Sequence, residues 1–319
     1  MIKAGIIGGT GYTGGELIRL LLNHPNAELS FVTSYSNVGK KVTDLHQDLI
    51  GEIDLEFIDN STDADVLFLA LPHKESKIWL ENNNVGNAVV IDLGNDFRIG
   101  ETYQGNSFVY GLPELNSAQL KGAKLIANPG CFATAIQLGI IPIVQAQEVS
   151  EIYTTGITGA TGAGKSLSET THFSWRQNNI SAYKTLTHQH LGEINFQLKE
   201  LSKVPFSVQF VPWRGDFARG IFVSSTFKTL LSLEELFELY EKFYEGQIFT
   251  TISRKEINLK QVVNTNRCLI NIEKNGDFAV VHSAIDNLLK GASGQAIHNM
   301  NISFGFPENA GLKLKSIAF

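Results

Sequence analysis

The chain has 319 residues, 43% hydrophobic and 18% charged, with a net charge of -6. That is the profile of a globular protein with room for two domains, and it argues against a nucleic-acid surface, which needs a basic patch. No apolar run reaches the roughly 20 residues of a membrane helix. The opening Met-Ile-Lys-Ala-Gly is too short and too glycine-broken for a signal peptide. Two cysteines in a chain this long point to a reducing cytoplasm. His188 and His190 have no cysteines near them at zinc spacing, so no metal is expected.

Residues 2–7 read as an apolar strand and residues 15–22 as a helix. Between them Gly9, Gly11 and Gly14 satisfy G-x-G-x-x-G. Glycine is needed where the turn is tight and where backbone approaches a pyrophosphate lying on the helix N-terminus. Flanked by strand and helix, the pattern predicts a dinucleotide fold, with Gly8, Thr10, Gly11, Tyr12, Thr13 and Gly14 against the cofactor. The next strand, 29–34, leads into Ser34-Tyr35-Ser36-Asn37 and then Lys40-Lys41. An NAD site usually places a carboxylate there. Hydroxyls and cations suit a 2′-phosphate, so NADP is expected, with Ser34, Ser36 and Lys40 beside it. Taken singly, each lysine reads better as a solvated surface charge.

Runs 66–71 and 88–93 are continuously apolar, as in a parallel sheet covered on both faces. Residues 77–82 read as a crossover helix between them. Pro72 and the segment 92–98 follow strand C-termini, the edge where open α/β sheets bind ligands. Arg98 offers an anionic substrate a cation that stays charged, while Asp92 and Asp96 also suit loop caps. Residues 124–127 form a short strand and 135–145 a helix. Asn128-Pro129-Gly130-Cys131 lies between, which puts Cys131 near a helix N-terminus. Orphan N–H groups and the helix dipole favour an anion there, and thiolate is the nucleophilic form of cysteine. The competing reading is an ordinary buried cysteine.

Residues 151–157 read as a strand running into residues 159–166, which fit G-x-x-x-x-G-K-[ST]. An NTPase is a poor reading of this motif. A nucleotide loop already opens the chain, residues 167–172 make a mediocre helix, and no convincing strand ending in Asp follows. Lys165 on a glycine-rich loop still suits a substrate phosphate. On an extended segment His188 and His190 face the same way, ahead of a helix at 191–201 with Glu193 in its first turn. A histidine there suits acid/base work on a thiolate–aldehyde reaction. Strands at 209–211 and 220–227 enclose a loop, 212–219, that carries Arg214 and Arg219. An acidic helix at 233–244 is capped by Ser232. Strands 267–272 and 278–282 flank Asn275-Gly276, a hairpin signal, and Cys268 reads as core. This alternation predicts a mixed, largely antiparallel sheet with helices on one face. Residues 284–296 read as a loop entering a final helix.

Across nearly its whole length the chain resembles the N-acetyl-gamma-glutamyl-phosphate reductase family. The residues that carry the resemblance are Gly8 to Gly14, the segment 92–98, Tyr110-Gly111-Leu112-Pro113-Glu114, and 127–135 around Cys131 on to Pro142. Thr187-His188-Gln189-His190 with Glu193, and 286–296 followed by 301–311, complete it. The resemblance implies an α/β protein with a Rossmann-type NADP domain, residues 1–130 plus 286–319. It implies a second α+β domain, residues 131–285, like that of glyceraldehyde-phosphate and aspartate-semialdehyde dehydrogenases. The implied activity is NADPH-dependent reduction of N-acetyl-L-glutamyl 5-phosphate to the 5-semialdehyde, through a Cys131 thioester, in arginine biosynthesis. The implied assembly is a cytoplasmic homodimer or homotetramer acting on a small acyl phosphate. His188 is placed first as acid/base and His190 second, with Glu193 orienting one of them. Arg98, Asn128, Lys165, Arg219 and Arg214 are placed on substrate and phosphate; Pro72 and Asn287 join the cofactor set. Many members carry a histidine after the proline of the arginine loop, where this chain has Trp213 after Pro212. Some members take N-succinyl substrates, and Arg214 would welcome the added carboxylate. The alternatives are an aspartyl-phosphate dehydrogenase and an NADP-binding regulator without turnover.

Overall fold

A computed structural model describes residues 1–146 and 149–318. The chain divides into two compact units, Met1–Gly130 with Ala292–Leu314, and Cys131–Gly291 with the residues from Lys315 onward. Phe319, the end of the expected first domain, lies outside the described residues.

In the first unit the chain runs β1 (Ile2–Ile7), α1 (Tyr12–Leu22), β2 (Ala27–Thr33), α2 (Val42–Leu45), β3 (Phe57–Ile58), β4 (Val66–Leu69), α3 (Glu75–Asn82) and β5 (Val89–Asp92). It continues through β6 (Thr102–Tyr103), β7 (Asn106–Ser107), β8 (Val109–Tyr110), α4 (Pro113–Leu120) and β9 (Leu125–Ala127). Seven strands form one sheet in the order β3-β2-β1-β4-β5-β9-β8, every pair parallel. Strands β4 and β5 are buried along their whole length, which is why they read as unbroken apolar runs. The order reverses beside β1 and β4, so the loops that follow these two strands frame the crevice where such sheets bind ligands.

The second unit opens with α5 (Cys131–Ala146) and β10 (Glu151–Thr158), then α6 (Phe173–Arg176), β11 (Ser181–Ala182), α7 (His190–Leu198), β12 (Ser207–Arg214) and β13 (Ile221–Lys228). It closes with α8 (Leu233–Phe243), β14 (Thr250–Ile252), β15 (Cys268–Asn275) and β16 (Phe278–Ile285). Its sheet runs β11-β12-β10-β13-β16-β15-β14 and is mixed: β10 with β12 and β14 with β15 are parallel, the other pairs antiparallel. Along β10 burial alternates, with Ile152 and Thr154 inside and Tyr153 exposed. A last helix, α9 (Ser293–Phe304), belongs to the first unit.

Helix α5 is the core of the second unit, buried from Phe132 to Val144. Pro142 lies inside it and has no N–H to give the Leu138 carbonyl one turn back. Tyr244 supplies the missing donor to the Leu138 carbonyl, and Tyr240 donates to that of Gly139, at 2.8 Å. Helix α8 brings Tyr240. It is started by a capping box in which Ser232 Oγ accepts the Glu235 N–H and Glu235 accepts the Ser232 N–H.

Several expectations are corrected. Strand β12 extends through Pro212 to Arg214, so Trp213 and Arg214 are strand residues, held against Ile157 and Thr158 on one side and Ala182 and Ser181 on the other. The chain rejoins the first unit at Ala292 and not at residue 286. Asp286 and Asn287 are held by the second unit: Asp286 pairs with Arg219 and accepts the Asn264 N–H at 2.7 Å, and Asn287 accepts the Gly220 N–H at 2.7 Å. The sequence after Gly159 is, as expected, no phosphate-binding P-loop. Short 3-10 turns, Ala160–Ala163 and Glu169–Thr171, stand where such a motif needs a long helix. No helix among the described residues is long and apolar enough to cross a membrane.

Candidate active site

In the first unit the glycines divide the labour of the β1–α1 loop. Gly8 has φ +88°, and a Cβ there would lie 2.8 Å from the Ala70 carbonyl oxygen. Its N–H donates to Thr33 Oγ1, and the Gly9 N–H donates to the Thr33 carbonyl. Those two residues therefore shape the turn. A Cβ on Gly14 would strike the Gly9 backbone at 2.7 Å, so Gly14 lets α1 pack on the loop. Gly11, the N-cap of α1, faces open space with nothing within 4 Å. Thr10, Gly11, Tyr12 and Thr13 thus bound an open cradle at a helix N-terminus, the arrangement a pyrophosphate fits. At the end of β2, Asn37 Nδ2 donates to Ser34 Oγ at 3.2 Å and Ser36 Oγ at 3.0 Å, and Lys40 Nζ donates to Asn37 Oδ1 at 3.1 Å. Pro72 follows β4 on the same sheet edge.

Other candidates from the sequence make hydrogen bonds within the first unit. Arg98 is 5% exposed and donates to the carbonyls of Asn128 and Leu93 at 2.8 and 2.9 Å. Asn128 is buried and tied to Ala292, Asn299 and the Asp92 carbonyl. Asp96 caps α3, accepting the N–H groups of Lys74 and Lys77. Asp92 accepts from Ser76 Oγ at 2.6 Å and the Gly94 N–H at 2.9 Å. Its complete burial pushes its pKa up to about 6.

The second unit carries the candidate reactive cluster. Cys131 is half-buried and is itself the first residue of α5, ahead of the start at 135 read from the sequence. The first-turn N–H groups of such a helix have no intrahelical acceptor and point toward its head. A Cβ on Gly291 would fall 2.8 Å from Cys131 Cβ, so only glycine lets that loop approach the cysteine. His188 is buried in a box of rings: Phe132, Tyr183, His190 and Phe210 stand edge-on with centroids 4.7 to 5.8 Å away. The His190 N–H donates to His188 Nδ1 at 3.2 Å, which assigns the ring proton of neutral His188 to Nε2. Burial, then the charges of Lys184 and Arg214, push the His188 pKa down to about 4. Lys184 and Leu186, just before it, hold φ +46° and +58°. Such positive φ values in non-glycine residues store strain that clusters at functional loops. His190 and Glu193 are buried in the first turn of α7.

Arg214 completes this cluster. Its guanidinium carbon lies 4.4 Å from the Tyr183 ring centroid, and its Nε is buried without a hydrogen-bond partner. Tyr183 was not picked out from the sequence, although it lies only five residues before His188. Burial, then the nearby Cys131, push its pKa up to about 12. Arg176, also missed, is buried on the four-residue α6 and donates to the Arg214 carbonyl at 2.7 Å. Nothing in its local pattern marked it. Lys165 is exposed on its loop. Arg219 is engaged in a two-bond pair with Asp286 at 3.0 and 3.1 Å. Asn287 spends its side chain on the Gly220 N–H and on Thr161 Oγ1, within the second unit.

Comparison with known proteins now bears on this arrangement. A family model described as semialdehyde dehydrogenase, NAD binding domain, matches residues 3–123. Another, semialdehyde dehydrogenase, dimerisation domain, matches residues 131–287. The chain is 51% identical to N-acetyl-gamma-glutamyl-phosphate reductase of Bacteroides fragilis and 52% identical to that of Bacteroides thetaiotaomicron, over the full length of both partners. Among solved structures it resembles aspartate semialdehyde dehydrogenase II of Vibrio cholerae, with TM-score 0.73 at 15% identity, over 95% of this chain and 98% of that one. It also resembles aspartate semialdehyde dehydrogenase with NADP from Candida albicans, with TM-score 0.73 at 17% identity, over the same shares. Those two share the fold. The full-length identities, together with the cysteine-headed helix and the dinucleotide loop, show that the chain belongs to the N-acetyl-gamma-glutamyl-phosphate reductase family.

Proposed function

We propose that this enzyme reduces N-acetyl-L-glutamyl 5-phosphate to the 5-semialdehyde with release of phosphate, using NADPH. The observation that carries the reading is Cys131 at the head of α5, in one unit with neutral His188 and the Arg214 cation. The Cys131 thiolate attacks the acyl carbon; the C–S bond forms, the C–O bond to phosphate breaks, and phosphate leaves with the electron pair. First-turn N–H groups of α5 are the donors for the carbonyl oxygen as charge builds on it. His188 offers Nε2–H to the reacting groups. A dianionic acyl phosphate beside it offsets Lys184 and Arg214 and raises its pKa, so protonation accompanies binding and the proton passes to the departing phosphate. When bound, the nicotinamide supplies the hydride that takes the thioester to the aldehyde level. Collapse of the resulting thiohemiacetal oxyanion returns the Cys131 thiolate.

Arg214 is assigned to a substrate anion, with the exposed Lys165 as a second cation; His190 and Glu193 support His188. Arg98, Asn128, Arg219 and Asn287 are assigned to the scaffold. Thr10, Gly11, Tyr12 and Thr13 would hold the pyrophosphate. The Ser34, Ser36, Asn37 and Lys40 cluster, with no carboxylate in residues 33–41, supports NADP over NAD. The match of residues 131–287 to a dimerisation domain supports a homo-oligomer, dimer or tetramer. Both cysteines are free, which suits a reducing compartment such as the cytoplasm.

The test is reverse turnover with phosphate and either NADP or NAD, on N-acetylglutamate, N-succinylglutamate and aspartate semialdehydes. The highest kcat/KM is expected with N-acetylglutamate semialdehyde and NADP. Preference for the N-succinyl compound would reassign Arg214 to the acyl carboxylate. Preference for aspartate semialdehyde or NAD would overturn the substrate or the cofactor reading, and no turnover at all would leave a regulator.

A further inference from the structure

We propose that Tyr183 is a positioning residue of this active site, its ring fixing both the Arg214 guanidinium and the His188 imidazole. The inference rests on the reading that Cys131 and His188 perform the reaction. It adds a residue that the sequence did not mark. The Tyr183 ring meets the Arg214 guanidinium carbon at 4.4 Å and the His188 ring at 5.8 Å, edge-on. Its backbone is pinned, since the Tyr183 N–H donates to the Pro212 carbonyl at 3.1 Å. The backbone of Arg214 is pinned too, on β12 opposite Ser181 and Thr158, with Arg176 braced against its carbonyl at 2.7 Å.

A long arginine side chain on a fixed backbone still has several rotamers. Stacking on an aromatic face reduces that freedom. What stays open is the buried Arg214 Nε, whose N–H has no acceptor among the described residues. Leaving such a donor unanswered is costly, and an arriving carboxylate or phosphate oxygen removes the cost. The surroundings favour an anion: Lys184 and Arg214 both act on His188, and Arg176 is pressed by Arg214. The phenol stays neutral through the assay range; its hydroxyl also lies within hydrogen-bonding reach of Arg214, so Tyr183→Phe separates the ring's part from that of the hydroxyl.

The test compares Tyr183→Leu, which removes the stacking face, with Tyr183→Phe, which keeps it, in the full-length enzyme. With N-acetylglutamate semialdehyde, NADP and phosphate, Tyr183→Leu is expected to raise the semialdehyde KM about tenfold and leave the NADP KM unchanged. Tyr183→Phe is expected to restore both. Arg214→Gln raises the same KM, and adding Tyr183→Leu to it brings no further loss, because the ring acts through the guanidinium. Histidine NMR titration reads the other contact: the His188 pKa rises toward 6.5 in Tyr183→Leu and stays low in Tyr183→Phe. An unchanged KM and His188 pKa in Tyr183→Leu, additive losses in the double variant, or equal damage from Tyr183→Phe would each overturn the proposal. Should Tyr183→Leu not fold, Tyr183→Met carries the same expectations. If the wild type turns over no semialdehyde, the reaction reading fails, while the NMR titration still decides the role of Tyr183.

Discussion

The two units present their chemistry in different materials. In the first, the site is backbone: glycines, a helix start and a turn, with Gly11 facing open space. In the second, it is side chains drawn from sequence positions 131, 183, 188 and 214, held by a helix head, a strained loop and a strand. A backbone site tolerates almost any side chain but no added bulk. A side-chain site tolerates bulk nearby but depends on each functional group and on the neighbours that set its charge. Mutations therefore separate the two, cofactor affinity moving with one and chemistry with the other.

The largest effect belongs to Cys131→Ser. Turnover is expected to fall by at least about 10^4-fold, since the alkoxide is far less available than the thiolate and no thioester forms. NADPH binding, followed by fluorescence, is expected to be unchanged. A near-normal rate would remove the covalent scheme.

Next comes His188→Gln, which keeps a polar group but not the imidazole. A drop in kcat of about 10^2- to 10^3-fold is expected, with the semialdehyde KM moving less. His190→Gln is expected to cost less, because His190 engages His188 through its backbone N–H, which glutamine retains. A reversed ranking in steady-state kinetics would hand the acid/base role to His190.

Gly11→Ala addresses the other kind of site. The added methyl meets nothing within 4 Å, so the fold is expected to lose less than about 1 kcal/mol. It occupies the cradle, so the Kd for NADPH is expected to rise about tenfold while kcat at saturating cofactor holds. An unchanged Kd would move the pyrophosphate off this loop.

The same division explains how much could be read in advance. The first site was legible because glycine spacing encodes backbone shape locally: Gly8, Gly9, Gly11 and Gly14 lie within seven consecutive residues. The parallel sheet was legible because strands buried on both faces, such as β4 and β5, are unbroken apolar runs. Cys131 and His188, the candidates for chemistry, stand out by residue type and by motif. Arg98, Asn128, Arg219 and Asn287 are harder to assign, because polarity in a loop looks alike whether the partner is a ligand or another loop. Here the partners are carbonyls, N–H groups and the Asp286 carboxylate. Tyr183 and Arg214 meet only because β11 pairs with β12, a contact between residues far apart in sequence. Arg214 was read as loop because a proline precedes Trp213, yet Pro212 sits within β12.

The smallest expected effect contrasts the two units through pH. Asp92 in the first unit and His188 in the second are both buried in the neutral form, and the two pull stability in opposite directions. Asp92 in the first unit has its pKa raised to about 6, chiefly by burial, against an ordinary value of 3.8. Between those values the folded protein holds the extra proton, so the contribution of Asp92 is full below pH 4 and is lost as pH rises through 6. The scale is on the order of 2–3 kcal/mol. His188 in the second unit runs the other way, its pKa lowered from 6.5 to about 4, chiefly by burial. Between those values the unfolded chain holds the extra proton, so stability falls as pH drops from 6.5 toward 4. In the wild type the two slopes oppose each other between pH 4 and 6, which flattens the profile. Asp92→Asn keeps an acceptor for Ser76 and Gly94 but removes the titration, so its urea stability is expected to rise with pH across that range more steeply than wild type. His188→Gln is expected to tilt the profile the other way. Parallel profiles for wild type and Asp92→Asn would show that Asp92 is ionised throughout, with its buried Oδ2 stabilised by a group other than a proton.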